Sequence, residues 1–284
     1  MTGSVRAASQ QDVSFVVLGK TTNHRQSPDD GSHHLLNFHF FAEIFLQKGV
    51  TVFGAMLHRP GEAEAGLEFV GDGLVLEVHG GRYRSEDELD QAFPDGDYVF
   101  FYTPSDGVRM EQPVAISSPG GHSRIPPPIT ITLFQDGHAA SLDSIDPEKN
   151  ITVGWSEFES GNSDPNGIVD DLVFVITGNC HGERIDHSGR PFGDSPYLTY
   201  ADTEYVVAAK ALFPGEVYQL AVEQAEMETT VFEGVPQIAT WAETSFIEFT
   251  TSGDSLPGRA VCPDVMFAMD GGQTDRPRKN TRQE

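Results

Sequence analysis

Within one short stretch, Asn179-Cys180-His181-Gly182-Glu183-Arg184-Ile185-Asp186-His187-Ser188-Gly189-Arg190 gathers a thiol, two imidazoles, two carboxylates and two guanidiniums. Cys180, His181 and His187 are donors suited to zinc or copper, and Asp186 is suited to orient a neighbouring imidazole from behind. Their spacing matches no standard metal motif. A catalytic reading stands beside the metal one: Cys180 as a nucleophile, with Arg184 or His187 supplying the positive field that stabilises a thiolate, and His181 and Asp186 completing the set. The plainer alternative is a loop that packs on the fold and satisfies its own hydrogen bonds.

Three further constellations carry potential chemistry. His33, Asn37 and His39 alternate with Leu36, Phe38 and Phe40, so in a strand they share one face. They read as the outward side of that strand, or as half of a site that the other half of the chain completes. Asp164, Asn166 and Asp170, with Gly167 to allow a tight turn, offer the oxygen ligands calcium requires, although no glutamate stands at the twelfth position of such a loop. An Asn-Gly turn before a strand is the preferred reading. Glu223, Glu226, Glu228, Glu243 and Glu248 form an acidic band. Paired carboxylates run glycoside chemistry only when held ~5–10 Å apart across a cleft, so the expectation is a solvated face. Gly71-Asp72-Gly73 joins two strands rather than a strand and a helix, so no phosphate-cradling loop is present and no nucleotide cofactor is expected.

The elements that must position these groups are strands. β-branched and aromatic residues fall in short runs separated by Gly, Pro, Asp and Asn, with almost no sustained 3.6-residue period, which predicts an all-β protein. The first set of strands is read over 13–18, 35–46, 50–57, 67–70, 74–78 and 98–102, the second over 129–134, 151–155, 172–177, 204–208, 217–223 and 245–250. One helical turn is expected at 85–89, where Ser85 and Glu88 form a capping box and Leu89 and Phe93 stand four apart. The organisation expected is a disordered N-terminus (1–11), an N-terminal β domain (12–118), a Gly/Pro linker (119–128), a second β-sandwich (129–253) with a long insertion at 178–204, and a disordered tail (254–284).

In the second half, Leu212-Phe213-Pro214-Gly215-Glu216-Val217-Tyr218 leads into a clean alternation through Val222, and Trp155 lies on an earlier inward-facing strand with Ile151 and Val153. This pattern resembles a fibronectin type III or immunoglobulin-like sandwich over roughly residues 126–253. The resemblance implies that Tyr218 is a corner tyrosine, its ring in the core and its hydroxyl on nearby backbone. The pattern departs from that family at 178–204 and between Gln224 and Trp241. The family is a scaffold and transmits no activity. Phe93-Pro94-Asp95-Gly96-Asp97-Tyr98 loosely echoes the Phe-Pro-Gly-x-x-Tyr stretch in the first half.

A formal net charge of −25 and a pI near 4.5 argue against nucleic-acid or anionic-membrane partners, because clustered Lys and Arg drive phosphate binding. No apolar run approaches the ~20 residues of a membrane span and no signal peptide opens the chain, so the expectation is a soluble protein, cytoplasmic by default with secretion left open. Cys180 and Cys262 alone build no disulfide framework. Two functional readings follow. One is a non-enzymatic β-sandwich protein binding a protein or small-molecule ligand through its insertions. The other is a small-molecule hydrolase, lyase or cyclase at the meeting of the two halves, metal-dependent if zinc, copper or calcium binds.

Overall fold

The computed structural model describes residues 12–62, 66–71, 73–118, 123–179, 183–193 and 195–255. The first half contributes β1 (Val13–Gln26), β2 (His33–Leu46), β3 (Phe53–His58), β4 (Leu67–Glu68), β5 (Val75–Tyr83), α1 (Glu86–Ala92), β6 (Gly96–Thr103) and β7 (Met110–Ile116). The second contributes β8 (Ile131–Gln135), β9 (His138–Ala139), β10 (Ile151–Trp155), β11 (Leu172–Asn179), β12 (Arg184–His187), β13 (Leu198–Thr199), β14 (Glu204–Val207), β15 (Val217–Phe232) and β16 (Val235–Thr250). The protein is all-β with one short helix. That helix starts where its sequence dictates: the Ser85 hydroxyl accepts the Glu88 N–H, while the Glu88 carboxylate reaches back to the Arg84 N–H. No described helix is long and apolar enough to cross a membrane.

The organising element is one large sheet in the order β12-β11-β15-β16-β1-β2-β5, with β13 also on β11. Every pairing in it is antiparallel except that of β1 with β16, which run parallel from Val16↔Gln237 to Arg25↔Phe246. Two four-stranded sheets, β4-β3-β6-β7 and β14-β10-β8-β9, cover one face of it side by side. The two sandwiches therefore share a layer rather than standing in tandem as separate pairs of sheets.

Alternation along β16 makes the sharing explicit. Val235, Ala239 and Trp241 enter a core with Leu18, Phe40, Ile44, Tyr98 and Phe100, whereas Ile247 and Phe249 on the same face enter a second core with Leu133, Val153, Trp155, Tyr218 and Leu220. Each core buries one tyrosine of the echoed Phe-Pro pattern. The Tyr98 hydroxyl donates to the Pro94 carbonyl at 2.8 Å, and the Tyr218 hydroxyl accepts from the Phe213 N–H at 2.7 Å.

Between the two cores runs a polar seam. The fully buried Glu243 carboxylate meets His24 at 3.1 Å and accepts from the Ser245 hydroxyl and the Ile129 N–H. The end of the expected linker is fastened along this seam. Arg124 lies 3.7 Å over the Trp241 ring and pairs with Glu228, and the Pro127 carbonyl accepts from Gln224. Residues 119–122 lie outside the described residues, as do 1–11 and 256–284, where disorder was expected.

The two longest strands were under-read. Residues 224–241 form the second half of β15 and the first part of β16, which turn back at Glu233 and Gly234, both with positive φ. The stretch is polar because its Gln224 and Glu226 meet the linker, not solvent alone. β1 likewise continues to Gln26, carrying buried Lys20, Thr21, Thr22 and Asn23. Gln26 ends the strand by imitating a backbone unit: its amide donates to the Ile131 carbonyl at 2.9 Å and accepts the Ile131 N–H at 2.7 Å. This fastens β8 to the central sheet. Gln26→Leu leaves both Ile131 groups buried and unpaired, and chemical denaturation should report a loss of ~2–3 kcal/mol; a change below ~0.5 kcal/mol would show the contact to be incidental.

Candidate functional site

The uncovered face of the central sheet carries the odd-numbered residues of β1, β2 and β15 and the even-numbered residues of β16 and β11. Here lies a cavity of about 260 Å³. Its walls come from both halves: Phe41, Glu43 and Phe45 of β2 with His39 and His79 on one side, and Leu172, Phe174 and Ile176 of β11 with Glu223 and Met227 of β15 on the other. Phe15, Val17 and Thr21 of β1 and Ile238 and Thr240 of β16 make the floor. Gly19 lies in that floor because no side chain fits there. A Cβ would sit 2.5 Å from the Thr240 methyl and 2.8 Å from the Phe41 ring.

Four phenylalanines dominate the lining, with Phe15 and Phe45 stacked at a centroid distance of 4.1 Å. Arg190, from the segment after β12, holds its guanidinium 5.0 Å from the Phe174 centroid and 5.6 Å from that of Phe45. It bridges rings from opposite walls.

The polar groups set into this apolar box are strongly perturbed. Burial pushes the Glu43 carboxyl up to about 7, with Glu77 and Glu223 adding to the rise and Arg190 and Arg184 opposing it. Burial also raises Glu223, against a 3.1 Å hydrogen bond from the Thr244 hydroxyl and the field of Arg190. His39 is driven down to about 3, by burial first and then by Arg82 and His79, so its ring is neutral at physiological pH.

A chain of hydrogen bonds fixes that neutral ring. Arg82 only donates, so Asn37 turns its oxygen to it at 3.2 Å; the same oxygen accepts from the Asn23 amide at 2.9 Å, and that amide nitrogen also donates to His39 Nδ1 at 3.2 Å. His39 therefore carries its proton on Nε2, the nitrogen left to serve as a donor.

The residues singled out in the sequence are dispersed. Cys180 and His181 lie outside the described residues. Alternation on β12 separates the other three: His187 pairs with Ile176 on the cavity side of the sheet, whereas Asp186 pairs with Thr177 on the covered side. His187 donates from Nδ1 to the Ser188 carbonyl at 2.7 Å, and its own carbonyl accepts from the Tyr205 hydroxyl at 3.0 Å, a hydroxyl that burial and the nearby Asp186 raise to about 12. Asp186 thus does not orient His187. Arg184, also on β12, acts on the cavity only through its charge.

The loop of Asp164, Asn166 and Asp170 holds itself as a turn. The Asp164 carboxylate accepts from the Asn166, Ile168 and Val169 N–H groups and the Thr229 hydroxyl, Asp170 accepts the Asp164 N–H, and the Asn166 amide donates to the Thr229 carbonyl. Among the described residues, no group of three or more His, Cys, Asp or Glu is arranged to hold a metal ion.

His33, Asn37 and His39 do not form one outward face of β2, because the β1–β2 register shifts between Asn23 and His24. His33 donates to the Ile129 carbonyl, Asn37 is buried, and His39 lines the cavity. The acidic band is not uniformly solvated either, since Glu243 is fully buried in the seam and Glu223 is recessed in the cavity wall. Glu43 was missed, although its place was signalled: it is the one charged residue between Phe41 and Phe45 on an aromatic strand face.

No protein-family model matches the chain, and no curated protein matches it.

Glu43 yields a pH signature. Its folded-state value lies above the 4.5 of an exposed glutamate, so the fold favours the protonated form; stability is greatest below about pH 4.5 and falls as pH rises toward 7. Keeping the charge buried above pH 7 costs about 3 kcal/mol at most. Glu43→Gln should therefore gain ~2–3 kcal/mol by denaturation at about pH 8.5 and change little at about pH 5; equal effects at both pH values would contradict the assignment.

Proposed function

We propose that the protein binds a small, largely apolar molecule in the cavity on the open face of its central sheet, with the two halves of the chain supplying opposite walls. The observation that carries this reading is the composition of the cavity: four phenylalanines and aliphatic side chains around a few convergent polar groups, two of them half-buried carboxyls raised from their ordinary range. Apolar cavities with a small number of placed polar groups are how proteins bury most of a ligand's surface while fixing its orientation. Neutral His39 offers a donor, Arg190 a cation and Glu43 a carboxyl that holds or releases a proton near neutrality.

The volume suits a ligand of one or two rings rather than a polymer. The charge of −25 disfavours polyanions, which supports a neutral or apolar ligand over nucleic acid. This reading keeps the ligand-binding expectation but moves it from the tips of the insertions to the sheet face, where Arg190 is the insertion's contribution.

Saturation-transfer NMR with indole and 2-naphthol as probes tests the site. At least one should bind in the micromolar to millimolar range, and Met227→Trp, which fills the cavity from β15, should abolish the signal while leaving the far-ultraviolet circular dichroism intact. Absence of binding by both probes, or binding that survives the filled cavity, would overturn the reading.

A further inference from the structure

Several recessed carboxylates of this fold have their oxygens engaged by donors. Glu243 takes His24, the Ser245 hydroxyl and the Ile129 N–H; Asp171 takes the Asn162 and Met227 N–H groups; Asp164 takes four donors; and Glu223 takes the Thr244 hydroxyl. Each is held by donors that favour its ionised form. Glu43 differs. It stands on the cavity wall between Phe41 and Phe45, and no described residue donates a hydrogen bond to it. Structural carboxylates in apolar surroundings are normally satisfied by donors. One left without them, facing a space that fits a ligand, is free to exchange a proton with whatever occupies that space.

We propose that Glu43 is a general base, and that the cavity deprotonates a weakly acidic C–H of its ligand, a site for isomerisation or elimination chemistry rather than for hydrolysis. This rests on the cavity being a ligand site, as proposed above. Set between the Phe41 and Phe45 rings, the carboxylate is less fully hydrated than one on an open surface, which strengthens it as a base. The charged and titratable groups that face or act on Glu43 are Glu77 and His79 of β5, Glu223 of β15, Arg184 of β12, His39 of its own strand, and Arg190; β1 and β16 bring none. Arg190, already lying between the Phe45 and Phe174 rings, is the cation placed to meet negative charge as it develops on the ligand. His39 stands four residues from Glu43, ~13 Å along the strand, and so can address only the far end of a bound molecule.

The test uses 5-nitrobenzisoxazole, a two-ring substrate whose ring opening requires only a base. The carboxylate takes the C3 proton, the C–H electron pair becomes the third bond of the nitrile, and the N–O bond breaks to leave a phenolate. The proton passes from Glu43 to solvent, and no other reactant is consumed. The full-length protein should open the ring faster than an equal concentration of acetate at the same pH, with a rate that rises through about pH 7 as Glu43 ionises. Glu43→Gln should remove at least about tenfold of that rate, and Glu43→Asp, which keeps the carboxylate, should retain part of it. Turnover unchanged in Glu43→Gln, or a rate that does not follow the pH expected for this group, overturns the assignment. Binding of indole without any turnover also overturns it while leaving the ligand site standing; neither binding nor turnover removes both.

Discussion

The parallel pairing of β1 with β16 is the constraint on which the rest of the structure depends. Ten residues of each strand are in register, joining segments from opposite ends of the chain, and without that ladder the large sheet would be two smaller ones with exposed edges. With it, one face becomes the common layer of two sandwiches and the other becomes a single surface on which a cavity can form. The contact is non-local in sequence and costly in chain entropy, and it is repaid by burial on both sides. Leu18 and Trp241 enter a core from one face, and Val17 and Ile238 floor the cavity from the other.

The same joint explains how buried polar groups are distributed. On the covered face, the two cores do not merge, because His24, Gln26, Glu243 and Ser245 intervene and must be paired. The chain pairs them with its own connection, as the Ile129 N–H and both backbone groups of Ile131 are drawn into the seam. On the open face the segment after β12 returns with Arg190 and Phe192, but no described residue donates a hydrogen bond to Glu43, which is left against aromatic rings. The contrast between Glu243 and Glu43 is therefore one of position: Glu243 is fully buried among donors of the returning chain, whereas Glu43 is half-buried on the cavity wall.

Local patterns in the sequence were read correctly where they decide structure by themselves. The alternation over residues 35–46 is β2, Ser85 and Glu88 do cap a helix, and Tyr218 is buried with its hydroxyl on the Phe213 N–H. What was illegible is whatever depends on pairing at a distance. Nothing in the composition of Val13–Gln26 announces a parallel partner more than two hundred residues away. Glu226, Met227 and Glu228 read as a loop because the Arg124 that accompanies the two glutamates lies across the linker. The cluster at 179–190 attracted chemistry by residue type, yet strand alternation sends Asp186 and His187 to opposite faces, and of that cluster the structure places Arg190 in the cavity. His39 was visible as part of a half-site, but the strand face alone could not say that its other half would come from β11 and β15.

That the cavity straddles the joint has a consequence for what the protein can be cut into. The first half brings His39, Phe41, Glu43 and Phe45; the second brings Phe174, Glu223, Met227 and Arg190; and the floor between them is the β1–β16 ladder itself. Neither half encloses the space alone. Gly19 shows how closely the two were fitted, because the Thr240 methyl of one half and the Phe41 ring of the other occupy the volume its side chain would need. A site assembled in this way cannot be inherited as a property of either sandwich. Whatever chemistry Glu43 performs belongs to the sheet that only the whole chain builds.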